Sequence, residues 1–249
     1  MRAVPFPSAW RAVIEQNLPF YARLDAADRA ELEGHVQVFL AEKRFEGCGG
    51  QAITDEVRVT VAAQACVLLL HQPEPEYFPD AETILVYPHA YKVVGQERLP
   101  DGTVLEREVT RQGEAWRRGE VVLSWDDARR GAADPKDGHN LVLHEFAHKL
   151  DMEDGAVDGA PPLEQRTRYL AWARVLAPAF RDLQLAAQGG KRSVLDAYGA
   201  TNPAEFFAVA TECFFEKPRQ LQKKHPELYE RLRDYYRQDP AGLPARSKA

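Results

Sequence analysis

Apolar positions between 26 and 43, AADRAELEGHVQVFLAEK, return every three or four residues, so that Leu32, Val36 and Phe39 fall on one face. That spacing predicts an amphipathic helix, with Asp25 placed to cap it. SAWRAVIEQ, nearer the start, is a shorter segment of the same kind and is broken by NLP. Beyond the flexible break GCGG at 47–50, Thr54 or Asp55 can cap EVRVTVAAQACVLLL. This helix is apolar on nearly every side and is expected in the middle of a core. PEPEYFPD at 73–80 is a stiff connector and the best place for a boundary. A helical N-terminal sub-domain, 1–76, is therefore expected to pack on a larger part, 77–249.

The pattern then changes period. TILVYP, GTVLEREV and GEVVLSW read as strands, the last two set off by the turns LPDG and RRG. After Trp125 the helical spacing returns, in the stretch around NLVLHEFAHKLD, in LEQRTRYLAWARVLAPAF, in NPAEFFAVATECFFE and in HPELYERLRDYYRQ. The aromatic residues of the last segment predict a packing face, and the helix could also lie over a cleft. The tail DPAGLPARSKA is expected to be loose. Helices, a small mixed sheet and more helices make an α+β order rather than the regular alternation of a doubly wound fold.

Composition narrows the function classes. Hydrophobic residues at 45% and charged residues at 28% of 249 describe an ordinary soluble globular protein. A net charge of −6 argues against a nucleic-acid partner, which would need an excess of Lys and Arg to neutralise phosphates. No segment has the apolar length to span a bilayer, and the first residues lack the apolar core of a signal peptide. Cys48, Cys66 and Cys213 form no CxxC pair and read as reduced thiols. A cytoplasmic protein with no membrane contact is expected.

The chemistry lies in NLVLHEFAHKLDMEDG, 140–155. On a helix, His144 and His148 stand one above the other, so both imidazoles can reach one cation. Zinc takes nitrogen and carboxylate ligands in a tetrahedral arrangement. Glu145, about 100° round the axis, points beside the metal, where it can take a proton from a water the metal has activated. Asp151 shares the histidine face and is expected to support a ligand histidine through its other ring nitrogen. The alternative is a helix that ends early and leaves Asp151 in a solvated turn. A catalytic zinc needs a third protein ligand. No third histidine follows at the HExxHxxGxxH spacing, and the candidates are Glu205, Glu212 and Glu216 in TNPAEFFAVATECFFE. Thr201 or Asn202 can cap that helix, with Pro203 in its first turn. Two turns separate Glu205 from Glu212 by ~10.5 Å, so one of them is expected to ligate the ion. Packing of FFAVA favours Glu205, leaving Glu212 and Glu216 as supporting or ion-paired groups.

His35, His71, His89 and His225 have no partner at ligand spacing and are expected at the surface or at helix ends. His139 could line the entrance to the site or simply belong to its loop.

HEFAHKLD followed by YGATNPAEFFAVATECFFE resembles the Mlc titration factor A family of zinc metallopeptidases. VVLSWDDARRG, DGHNLVLHEFAHKLDMEDG and TDEVRVTVAAQACVLLL extend the resemblance over most of 50–216. It implies a zincin-like fold and a gluzincin-like site related to the catalytic domain of anthrax lethal factor. One zinc ion per chain would be held by His144, His148 and Glu205, with Glu145 as general base. The resemblance also implies an oxyanion-stabilising role for Tyr198, whose phenol can donate a hydrogen bond. GEVVLSW would be an edge strand that pairs with an extended substrate.

Two functions of different class remain. One is a peptidase acting on a peptide or protein. An aminopeptidase would need a further carboxylate for the substrate's free amine, and no residue is singled out for it. The other is a binding protein that sequesters a transcriptional repressor, as the family's name records, with the zinc site latent. A structural zinc site would instead be closed by four protein ligands, commonly cysteines, and none of the cysteines lies at such a spacing.

Overall fold

The computed structural model describes residues 5–98, 104–111, 113–114, 119–163 and 165–244. Leu99–Gly102 of the first expected turn, Arg117 and Arg118 of the second, the first four residues and the tail beyond 244 lie outside the described residues.

Two capped helices follow α1 (Ser8–Asn17), which starts without a side-chain cap. Asp25 Oδ1 accepts the amides of Ala27 and Asp28 and begins α2 (Ala26–Glu42). A short strand, β1 (Arg44–Gly47), follows. Thr54, rather than Asp55, caps α3 (Asp55–Val67) through the amide of Val57. Ten consecutive-side residues of α3 from Val57 to Val67 are buried, as its all-round apolar surface requires.

The strands are β2 (Thr83–Tyr87), β3 (Tyr91–Arg98), β4 (Val104–Arg111), β5 (Gly113–Glu114) and β6 (Glu120–Ser124). Three of them join β1 in a mixed sheet in the order β1-β2-β6-β5, whose first three strands are parallel. β3 and β4 pair separately as an antiparallel ribbon. In register, Ile84 lies beside Val121 and Val86 beside Leu123, and all four are fully buried. The expectation that GEVVLSW lies at the edge is corrected. β6 is interior, because Gly113 and Glu114 add across Leu123 and Val122 on its far side.

Helices complete the α+β arrangement: α4 (Trp125–Ala133), α5 (Leu141–Asp151), α6 (Arg166–Gln188), α7 (Pro203–Glu216), α8 (Pro218–Lys224) and α9 (Pro226–Tyr236). A 3₁₀ turn at Ala197–Ala200 precedes α7. None of the helices among the described residues is long and apolar enough to cross a membrane.

Two aromatic clusters hold the helices that matter for the site. Phe146 of α5 meets Phe78 at 4.7 Å and Phe39 of α2 at 5.6 Å between ring centroids, both edge-on. All three rings are fully buried, the offset geometry aromatic pairs prefer. On the far side of α7, Phe214 packs on Tyr229 and Tyr236 of α9. The C-terminal tyrosines therefore belong to the core instead of covering a cleft. One hydrophobic cluster runs from Ile14 to Tyr236 and takes in Phe78 of the connector.

His35 departs from the surface position expected of it. Its ring is fully buried on α2, with Nδ1 2.8 Å from the Tyr77 hydroxyl and Nε2 3.2 Å from Glu31. Cys66 and Cys213 are buried and Cys48 half-buried, all as reduced thiols.

Candidate metal centre

Asn140 sets the first helix of the site. Its Oδ1 accepts the amide of Leu143 and so caps α5 at 3.0 Å. Past the cap, α5 turns Phe146 into the core and His144 and His148 toward α7, their rings 4.9 Å apart and nearly perpendicular. α7 begins the same way. Asn202 Oδ1 accepts the amide of Glu205 at 2.9 Å, with Pro203 in the first turn. The cap places Glu205 in the opening turn, facing α5.

There the three side chains converge. Glu205 Oε2 lies 3.0 Å from His144 Nε2 and 3.3 Å from His148 Nε2. One ligand atom from each of the three lies within 4.8 Å of the others. Ligands ~2.0–2.1 Å from a tetrahedral zinc stand ~3.3 Å apart. The pocket therefore has nearly the spacing such an ion needs, from a donor set of two imidazole nitrogens and one carboxylate oxygen. His144, His148 and Glu205 could hold a metal.

Glu212, two turns further along α7, takes the other edge of the same imidazole. Its Oε1 is 2.7 Å from His144 Nδ1, and its Oε2 accepts the backbone amide of Asn140 at 2.6 Å. One carboxylate thus fixes both the ring and the start of the helix that carries it.

The electrostatics follow from this crowding. Burial works against a charged His144, yet Glu212, Glu205 and Glu145 outweigh it and hold the imidazole well above its ordinary pKa. His148 shifts the other way: burial lowers it, and Glu205 only partly opposes this. Burial also opposes the Glu205 carboxylate, but its hydrogen bonds to the two histidines draw it down to about 2. A site with this surplus of carboxylate around two imidazoles is electrostatically suited to a cation.

Glu145 lies buried on α5 beside this group. Tyr198, in the 3₁₀ turn, stands at the mouth, 55% exposed, its ring centroid 6.0 Å from that of His144. Asp151 is fully buried, and its Oδ2 accepts the amide of Gly159 at 3.0 Å. Gly159 has φ +77°, and a Cβ there would lie 2.3 Å from the carbonyl oxygen of Pro203. Asp151 thereby holds a glycine turn tightly against the first residue of α7, two positions before Glu205. Glu216, at the end of α7, is buried near Asp137 and pushed up to about 9, burial being the largest cause.

His139 lines a cleft beside the site, with Nε2 3.6 Å from Asp196. The part played by Asn140 was missed by motif reasoning, although an Asn directly before an apolar helical run is a recognisable cap. A second group, Asp28, Glu31 and His71, also brings ligand atoms together. It sits at the surface, where His71 Nε2 is 2.7 Å from Asp28 and the His71 amide donates to Glu31.

Comparison with known proteins agrees with this geometry. A model of the glucose-regulated metallo-peptidase M90 family matches residues 1–237. An uncharacterized protein of Synechocystis is 46% identical over 238 residues, covering 95% of this chain and 86% of its own. Mlc titration factor A of Klebsiella pneumoniae is 32% identical over 225 residues, 90% of this chain and 84% of its own. Its counterpart in Salmonella arizonae is 30% identical over 226 residues, 90% and 89% respectively. With nearly its whole length matched and the ligand-capable residues of two capped helices brought together, the chain belongs to the M90 metallopeptidase family.

Proposed function

We propose that this chain is a zincin-like, zinc-dependent peptidase of the cytoplasm that hydrolyses peptide bonds. The observation that carries the reading is the convergence of His144, His148 and Glu205. These three residues would hold one zinc ion. Such an ion supplies Lewis acidity, bringing the pKa of a water to ~7 and polarising a carbonyl.

The chain's own groups do the rest. Glu145 accepts the proton released as water attacks the carbonyl carbon, and delivers it to the nitrogen of the breaking C–N bond. The Tyr198 hydroxyl, on an exposed side chain at the mouth, donates a hydrogen bond to the oxygen that gains negative charge. Glu212 fixes the tautomer and aim of His144. Asp151 acts at one remove, through Gly159 and the start of α7.

A second reading rests on the relatives named Mlc titration factor A. On it, the chain binds a transcriptional repressor, and the zinc site is secondary. A buried Glu145 beside an assembled ligand set favours the enzyme, because a pure binder has no use for the base.

The test is zinc content per chain, on protein purified without chelator or metal-affinity resin, for wild type and Glu205→Gln. About one zinc in wild type and a large loss in the variant is expected. Glu145→Gln should then keep its zinc and lose cleavage of chromogenic peptides, an N-terminal aminoacyl nitroanilide among them to probe aminopeptidase action. Zinc absent from wild type even after its addition at neutral pH would sink the peptidase reading. Repressor binding unchanged in Glu145→Gln, with no peptide cleaved by wild type, would favour the second.

A further inference from the structure

Beside the metal centre lies a cleft of about 270 Å³. Its lining includes Lys191, Arg192 and Lys217, together with His139 and Asp196. Ala197 also lines it, and the next residue is Tyr198, whose ring stands 6.0 Å from His144. The 3₁₀ turn that carries Tyr198 therefore also contributes to the wall of the cleft.

Its charge runs against that of the molecule. The chain carries a net −6, yet three cations face this one space. Among the described residues, Lys191, Arg192 and Lys217 have no carboxylate within ion-pairing distance. The one acid in the lining is already engaged: Asp196 accepts the Tyr198 amide at 2.7 Å and faces His139 at 3.6 Å. Lys217 reaches from the end of α7 to the approach to α5. It follows the last residue of α7, and its Nζ lies over Gly138, where a Cβ would approach it to 2.6 Å. Gly138 has φ +78°, a backbone that favours glycine. Gly138 in turn lies two residues before the cap of α5. The ammonium group thus lies between the end of α7 and the start of α5.

Unneutralised cations in a cleft attract anions, and a guanidinium fork matches a carboxylate in particular. We propose that the cleft is a subsite for a substrate carboxylate, supplied by either the C-terminus of a short peptide or an acidic side chain near the scissile bond. The proposal rests on the peptidase reading of His144, His148 and Glu205, and it gives that peptidase a preference for acidic or free-acid substrates.

The experiment measures binding separately from cleavage. Zinc-loaded Glu145→Gln protein is titrated into aminobenzoyl-hexa-alanine as the free acid, as the C-terminal amide, and as amides with one glutamate at each position in turn. Fluorescence anisotropy gives the Kd. The free acid, or one of the glutamate amides, should bind at least about tenfold more tightly than the plain amide, as expected for one charge-assisted contact. Which of them does so identifies the source of the carboxylate. Adding Lys191→Gln, Arg192→Gln and Lys217→Gln together should reduce that preference to within about twofold, and restoring position 217 as Lys217→Arg should recover part of it. Zinc content and the unfolding midpoint report whether the variants keep their fold. Equal binding of every peptide, or a preference that survives all three substitutions in folded protein, overturns the subsite alone. No binding of any peptide, with no cleavage by wild type, overturns the peptidase reading and the subsite with it.

Discussion

His144 and Glu212 are joined at 2.7 Å through Nδ1 and Oε1, and the second oxygen of Glu212 takes the amide of Asn140 at 2.6 Å. Glu205 meets the opposite ring nitrogen at 3.0 Å. The imidazole therefore bridges two carboxylates that sit seven residues apart on α7. This resolves what separation along the helix axis alone leaves open, since both acids touch one histidine while only Glu205 also reaches His148.

Glu212→Gln should separate support from ligation. A carboxamide can still accept from Nδ1–H, but its NH₂ group then faces the Asn140 amide, two donors in opposition. Loss of an outer partner of a metal-binding histidine typically weakens the metal by 10–100-fold. Zinc affinity measured against a competing chelator should fall by that order, with Glu212→Ala at the larger end. An unchanged affinity in both would remove Glu212 from the site.

Tyr198 offers a contrast, because more than half of it is exposed. Tyr198→Phe should leave the unfolding midpoint and zinc content unchanged. A hydrogen bond made only as the oxyanion forms is lost from kcat and spares KM. Loss of one such donor costs on the order of 10²-fold, with less expected of a donor on a side chain exposed to water. A variant with full kcat would assign the oxyanion elsewhere.

Much of this architecture is legible in the chain itself. The caps at Asp25, Asn202 and Thr54 lie directly before apolar runs, where local chemistry decides. The pairing of His144 with His148 is a matter of helical period, and Glu205 joins them in a group that could hold a metal. What escapes is nonlocal. β1 has only four residues, mostly exposed, and its strand character comes from pairing with Thr83–Val86 across the chain. His35 is buried because Tyr77, 42 residues away, arrives to bond it. Lys191, Arg192 and Lys217 read singly as solvated charges, and only the fold sets them round one cleft.

The start of α7 depends on Gly159. Gly159→Ala puts a methyl group 2.3 Å from the Pro203 oxygen at a φ of +77°, so the turn must move. A left-handed non-glycine residue costs ~1–2 kcal/mol before any clash. The variant should unfold at a lower midpoint and, because Glu205 follows Pro203 by two residues, should also bind zinc more weakly than an equally destabilised core variant such as Ile14→Val. Equal zinc affinity in the two would mean that the turn stabilises the fold without aiming the ligand.

Glu216 makes stability depend on pH in a direction opposite to that of a paired carboxylate. Burial, with Asp137 and Glu212 nearby, raises its pKa to about 9, against ~4.3 in an unfolded chain. Between those values the folded protein keeps a proton that the unfolded chain gives up. The stabilising contribution is complete below pH ~4 and declines as pH rises toward 9, with a slope of up to ~1.4 kcal/mol per pH unit. Glu216→Gln retains a neutral group of similar shape and removes that dependence. Urea unfolding at pH 6 and pH 8.5, with zinc present throughout, should show the variant gaining on wild type as pH rises, by more than ~1 kcal/mol at the higher value. Parallel losses in both proteins would mean that Glu216 is ionised in the fold, with its charge met by a partner or by water.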